Sequence, residues 1–195
     1  PSLQTAMNEL SNHDHSRFLT RTNRRVGRMN TLGSDAASQG IDKGVMREAV
    51  VMQMTWVGAP TVYYGDEAGV CGFTDPDNRL TYPWGKEDQE LLSFHKDNPV
   101  LTYGSTCFLS LEHQLLSYGR FDEENQIVVV VNNSREEREV NIPVWKASVP
   151  PFCTMERLML TLENGFSTND AVYGVRNGIL YLKLPPVCSM ILKTL

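Results

Sequence analysis

Cysteine is sparse in this chain. Four thiols in 195 residues, at Cys71, Cys107, Cys153 and Cys188, lie far apart and form no Cys-x-x-Cys pair. That excludes zinc-finger spacing and a thioredoxin-like motif, and it fits reduced core thiols better than a disulfide framework. Long hydrophobic runs are missing too: none nears the roughly 20 residues of a membrane span. Basic residues are in the minority, 18 Lys and Arg against 23 Asp and Glu, for a formal charge of −5 and a pI near 5.4. A general nucleic-acid or anionic-membrane binder needs a basic footprint, so neither partner is expected. The one local exception, Arg17, Arg21, Arg24, Arg25 and Arg28, does not by itself make a phosphate site. There are no repeats and no low-complexity segments.

What is present is ordinary for a globular protein, 41% hydrophobic and 21% charged. The chain changes character near residue 100. Before it, helical and strand signals alternate. From Gly44 to Val57, Val45, Ala49, Met52 and Trp56 recur as one apolar helical stripe, and Gly58-Ala59-Pro60 ends the helix. Thr61-Val62-Tyr63-Tyr64 then reads as a short buried strand closed by Gly65. Lys86 to Asp97 reads as a second amphipathic helix, with Leu91, Leu92 and Phe94 inward and Asn98-Pro99 beyond it. After residue 100 about eight short strand-like runs follow: 106–111, 115–121, 127–132, 139–144, 157–162, 172–176, 179–184 and 187–193. Asn177-Gly178 is the strongest hairpin signal among their turns. The pattern predicts α/β followed by all-β, with an antiparallel sandwich after a boundary near 99–104.

Two polar stretches carry the chemistry. The first is "NELSNHDHSRFLTR", residues 8–21. In it Asn12, His13, Asp14, His15 and Arg17 crowd five hydrogen-bonding or ionisable groups into six positions. Taken alone, it reads as a solvated loop in which Asn12 or Asp14 caps the next helix. The second, "GAPTVYYGDEAGVCGFTDPDNRLTYPW", residues 58–84, is a long loop rich in Gly, Pro and Asp. Loops of that length in compact domains are usually functional, and the apolar and aromatic content here argues against disorder. Both stretches follow strand-like runs, so both are expected on one face.

With the two in view, the chain resembles the α-amylase family of glycoside hydrolases, and within it the cyclomaltodextrinase, neopullulanase and maltogenic-amylase group. "LSNHDHSRFLT" is similar to the family's motif after barrel strand seven, "GAPTVYYGDEAG" to that of strand eight, and "DPDNR…PW" to the group's substrate loop. The resemblance implies that residues 1–99 are the last strands and helices of a (β/α)8 TIM barrel and that residues 100–195 are a C-terminal antiparallel β-sandwich. It implies an α-glucan substrate, in the maltodextrin, cyclodextrin or pullulan class. Asp14 would be a third carboxylate that stabilises developing positive charge, and His13 would bind the same sugar. Asp75 and Arg79 would hold a more distant glucose, unless they form an internal salt bridge, or do both. The family's Asp nucleophile and Glu acid/base lie upstream of anything here, so the chain is expected to be a fragment.

Adjacent Asp66 and Glu67 cannot flank one bond from a continuing strand and are read as structural. Arg17 is read as pairing with a carboxylate, and Tyr63, Tyr64 and Trp84 as packing. No cofactor or metal is expected, and the reading leaves open a structural calcium in the missing part of the parent. The native start is expected upstream of Pro1, the compartment cytoplasmic rather than secreted, and the chain alone inactive and self-associating. The rival reading is a carbohydrate-binding or interaction module in residues 100–195, with Trp145, Tyr118, Tyr173 and Tyr181 as its aromatics.

Overall fold

A computed structural model describes residues 6–25, 27–86 and 95–195. Strand β1 (Met7–Asn8) pairs in parallel with β2 (Ala59–Pro60). Between them come the short helices α1 (Phe18–Arg21) and α2 (Met29–Leu32) and the long helix α3 (Lys43–Thr55). One helical turn, α4 (Val100–Tyr103), leads into the strands: β3 (Ser105–Glu112), β4 (Leu115–Phe121), β5 (Gln126–Asn132), β6 (Arg138–Ile142), β7 (Phe152–Leu162), β8 (Gly165–Ser167), β9 (Val172–Arg176), β10 (Ile179–Leu184) and β11 (Cys188–Thr194). These form one antiparallel sheet in the order β3-β4-β5-β11-β7-β9-β10-β6, with β8 against β7.

The sheet folds over on itself. Val128 and Val130 of β5 share a core with Val140 and Ile142 of β6 and with Leu180, Leu182 and Leu184 of β10. Those strands stand far apart in the hydrogen-bonding order, so the two ends of the sheet face each other as a sandwich. The 3₁₀ turn Val144–Ala147 plugs the interior, and it approaches β4 so closely that a Cβ on Gly119 would lie 2.3 Å from that of Ala147. The Asn177-Gly178 hairpin forms as expected, with φ of 51° and 73°, the left-handed pair a type I′ turn needs. All the expected runs are strands, and β7 starts five residues before its run.

Every residue of β5 is buried, because β5 has two cores and not one. Val128 and Val130 face the sandwich interior, while Ile127, Val129 and Val131 face outward to α3. Asp42 caps α3, its carboxylate accepting from Val45 N at 3.0 Å. Met46, Val50, Val51 and Met54 meet Tyr118, Ile127, Val129, Val131, Met159 and Ile191. The expected stripe Val45, Ala49, Met52 and Trp56 is therefore only half-buried. The buried set is displaced by one residue, about 100° around the helix. Sequence period allows both faces, and the outer surface of the sheet decides between them.

The strand expected at Thr61–Tyr64 also differs. The paired residues are Ala59 and Pro60, and Val62 is 38% exposed. A parallel strand becomes buried through neighbours on both sides and both faces. Among the described residues β2 has β1 alone as its strand neighbour. Gln53 braces the pair, its amide donating to the carbonyls of Asn8 and Thr61 at 2.9 and 2.8 Å. The helix expected over Lys86–Asp97, with Leu91, Leu92 and Phe94, falls largely outside the described residues.

Polar side chains join α3 to the sheet. Arg120, fully buried on β4, donates to Thr55 O at 2.9 Å and to Gly104 O at 3.1 Å. The Tyr118 hydroxyl bonds Thr55 Oγ1, and burial pushes its acidity far out of the ordinary range. At the other end of the helix, Arg135 pairs with Asp42 and Glu163.

Candidate functional site

Because β1 and β2 run parallel, the loops that leave their C-terminal ends emerge on one side, and the two polar stretches meet there. Asn12 does not cap α1. Its Oδ1 instead accepts from the amides of Asp14 and His15 at 2.9 and 3.1 Å, and Ser11 Oγ accepts from Phe18 N. An Asx turn thus presents His13 and Asp14 outward. Their side chains are 61% and 71% exposed, with His13 Nε2 3.5 Å from Asp14 Oδ1.

The second stretch stands directly against this turn. Asp75 and Arg79 form an ion pair across one turn of backbone, both half-exposed. Arg79 Nη2 also lies 3.4 Å from His13 O. Between the stretches, Asn78 Nδ2 faces the carbonyls of Asn12, His13 and His15 at 3.3, 2.9 and 2.8 Å. The structure therefore brings together all four expected site residues, His13, Asp14, Asp75 and Arg79. Asn12, read from the sequence as a candidate helix cap, instead braces the turn, and Asn78, which sequence reasoning missed, joins the two stretches.

Arg17 underlies the whole arrangement. It is fully buried, donates to Asn78 O at 3.0 Å and Tyr64 O at 2.6 Å, and pairs with Asp66 at 3.2 Å. Its guanidinium lies 4.1 Å from the centre of the Tyr63 ring. The expected carboxylate partner for Arg17 is thus Asp66. Asp66 sits in a turn rather than on a continuing strand, and burial raises its pKa against the lowering effect of Ser11 and Arg17. Burying Arg17 also breaks up the arginine cluster of residues 17–28.

Trp84, expected to pack, is 84% exposed and meets Tyr82 edge-on at 4.8 Å. Of the aromatics in the rival reading, Tyr118 is wholly buried and offers no platform, whereas Trp145 and Tyr181 are more than half exposed. Neither of two cavities beside α3 is lined by His13, Asp14, Asp75 or Arg79. Among the described residues, no group of three or more His, Cys, Asp or Glu is placed to hold a metal ion. No helix among them is long and apolar enough to cross a membrane.

The fold is shared with solved structures of larger proteins. The α-amylase of Geobacillus thermoleovorans, solved with acarbose, superposes with a TM-score of 0.73 at 20% identity, over 98% of this chain and 39% of that one. A cyclomaltodextrinase structure gives 0.67 at 23%, over 97% of this chain and 30% of that one. No family model matches the sequence. By sequence, the chain is homologous to glycoside hydrolases of the α-amylase family over the matching regions. It is 34% identical to a cyclomaltodextrinase of Thermoanaerobacter pseudethanolicus over 142 residues, 68% of this chain and 22% of that protein. An amylopullulanase of Thermoanaerobacterium thermosulfurigenes is 29% identical over 98% of this chain, and neopullulanase 2 of Thermoactinomyces vulgaris 30% over 97%. The chain spans only 11% of that amylopullulanase and 29% of that neopullulanase.

Proposed function

We propose that these residues are part of a retaining α-glucan hydrolase acting on maltodextrins, cyclodextrins or pullulan. Residues 1–99 supply the closing portion of its catalytic barrel, and residues 100–195 its C-terminal sandwich. Asp14 is the transition-state-stabilising carboxylate, and His13 donates to the same sugar. Asp75 and Arg79 bind a more distant one. The nucleophile and the acid/base lie outside this chain, which alone does not cleave a glycosidic bond.

The observation that carries this reading is the juxtaposition at the loop pair. An exposed carboxylate and imidazole stand on a braced turn, beside an Asp–Arg pair anchored to the same backbone. An exposed loop carboxylate with no function needs no such bracing. A carboxylate fixed beside an oxocarbenium-like centre stabilises positive charge without attacking. The ion pair between Asp75 and Arg79 is compatible with sugar binding. Its guanidinium keeps further N–H groups, and its carboxylate keeps a second oxygen, for hydroxyls.

The test is Asp14→Asn in the full-length enzyme. It keeps shape and removes charge, and kcat should fall by about a hundredfold or more, the usual scale for such a stabiliser. Normal turnover in a folded variant would return Asp14 to the status of a surface residue. A glucan pull-down with this chain addresses the rival binding module. Retention that survives Asp14→Asn and Arg79→Ala but is lost with Trp145→Ala would favour the module.

A further inference from the structure

We infer that Asn78 is the positioning residue for Asp14, holding the turn that carries it in register with the Asp75–Arg79 pair. The inference rests on the reading of Asp14 given above and assigns a role to a neighbour that touches no substrate.

Asn78 is fully buried, and its side-chain nitrogen is ringed by three main-chain carbonyls, those of Asn12, His13 and His15. Three acceptors around one group fix which end of the amide points there, because the oxygen would be repelled by all three. The two N–H bonds are shared among them, so the carbonyls on both sides of Asp14 are gripped from one point. From the other side, Asn12 Oδ1 holds the amides of Asp14 and His15. Asp14 is thus the exposed tip of a turn whose backbone is pinned on both of its polar edges.

Asn78 is itself held from several directions. Its carbonyl accepts from the buried Arg17 at 3.0 Å. The preceding Asp77 accepts from Phe73 N at 2.7 Å and is bonded by Ser34 Oγ. The Asp77–Asn78 backbone passes so close to Gly72 that a Cβ there would lie 2.3 Å from Asp77 O, so this position admits no side chain. The next residue, Arg79, reaches the same His13 carbonyl that Asn78 grips. One short segment therefore carries both the sugar-binding guanidinium and the clamp on the Asp14 turn, so the spacing between the two ends of the site is set by consecutive residues.

Asn78→Asp keeps the volume but turns a donor toward the three carbonyls into a carboxylate, and Asn78→Ala removes the clamp. NMR order parameters in this chain are the first readout. In both variants those of Asp14 and His15 should drop from near 0.85 to below about 0.6 at neutral pH, while β5 is unchanged. In Asn78→Asp they should partly recover at acid pH, where a protonated carboxyl can donate again. Unchanged values at Asp14, or an equal loss throughout β5, overturns the proposal.

Steady-state kinetics of the full-length enzyme are the second readout. Asn78→Ala should lower kcat about tenfold with KM held within about twofold, and should add nothing on top of Asp14→Asn. A further loss of kcat in the Asp14→Asn background overturns the assignment, because Asn78 would then act through something else. If Asp14→Asn alone leaves kcat intact, the reading of Asp14 fails, whatever the order parameters show.

Discussion

Glu48→Gln should make the protein more stable above neutral pH and should abolish one component of its pH-dependent stability. Glu48 lies on α3 and is 3% exposed. One carboxyl oxygen accepts from Asn133 Nδ2, and the other is buried without a hydrogen-bond partner. Burial pushes its pKa from 4.5 up to about 7, opposed by the hydrogen bond from Asn133 and the charge of Arg135 and reinforced by the charge of Asp42. The folded state thus holds a proton that the unfolded chain releases near pH 4.5. The stabilisation is complete below about pH 4.5 and is lost as pH rises through about 7. A difference of about 2.5 pKa units at 1.36 kcal/mol each is about 3 kcal/mol. Gln is neutral at every pH and keeps the shape. Urea titrations of both proteins at pH 5, 6, 7 and 8, followed by Trp fluorescence and circular dichroism, measure the difference. The variant should gain steadily on the parent sequence from pH 5 and lead by about 3 kcal/mol at pH 8. A difference that stays constant from pH 5 to 8 would refute the reasoning, because Glu48 would then be equally charged in both states.

Arg79→Ala in the full-length enzyme should raise KM for maltodextrins more than it lowers kcat, since a contact to a remote sugar is much the same in ground and transition states. A lower melting temperature with KM intact would instead mark the Asp75–Arg79 pair as a loop staple. Arg17→Met should cost about 3–5 kcal/mol, because it strands Asp66 as a buried charge and frees the carbonyls of Tyr64 and Asn78 at once, and a melting temperature within a degree of normal would contradict that. This chain alone should release no maltose from any α-glucan and should self-associate through the short parallel pair and its exposed neighbours. Static light scattering and a reducing-sugar assay read the two outcomes.

The strands after residue 100 were legible because each is short, β-rich and bounded by turn residues, and because the Asn-Gly hairpin admits little else. What the sequence hid was the second face of the sheet. Gln126–Asn132 reads simply as an apolar run, and nothing local says that alternate residues serve two different cores. For the same reason α3 was found but turned about 100°: its period is satisfied by either stripe, and only Ile127, Val129 and Val131 choose. The side chains of the candidate site were legible as residue types in two polar stretches, which the structure places side by side. Asn78 was not, since an Asn within a polar loop announces nothing until three carbonyls from 63 to 66 positions away gather around it. Trp84 shows the opposite failure, a large aromatic that composition places inside and the structure leaves outside.

The central position of β11 has a consequence for biosynthesis. This strand lies between β5 and β7, and Ile191 belongs to the surface on which α3 rests. On the ribosome, α3 emerges well before any of its floor exists. At 5–20 residues per second, on the order of ten seconds pass before Ile191 is made. Through that interval Met46, Val50, Val51 and Met54 lack the complete floor that Ile191 closes, and β5 and β7 have no strand to join them. The helical half therefore cannot reach its final packing as it is synthesised and must wait for the middle strand of the sheet. A nascent chain stalled just before Cys188 would present an uncovered apolar helix and a sheet parted at its centre. That is the species on which a chaperone or a protease would act.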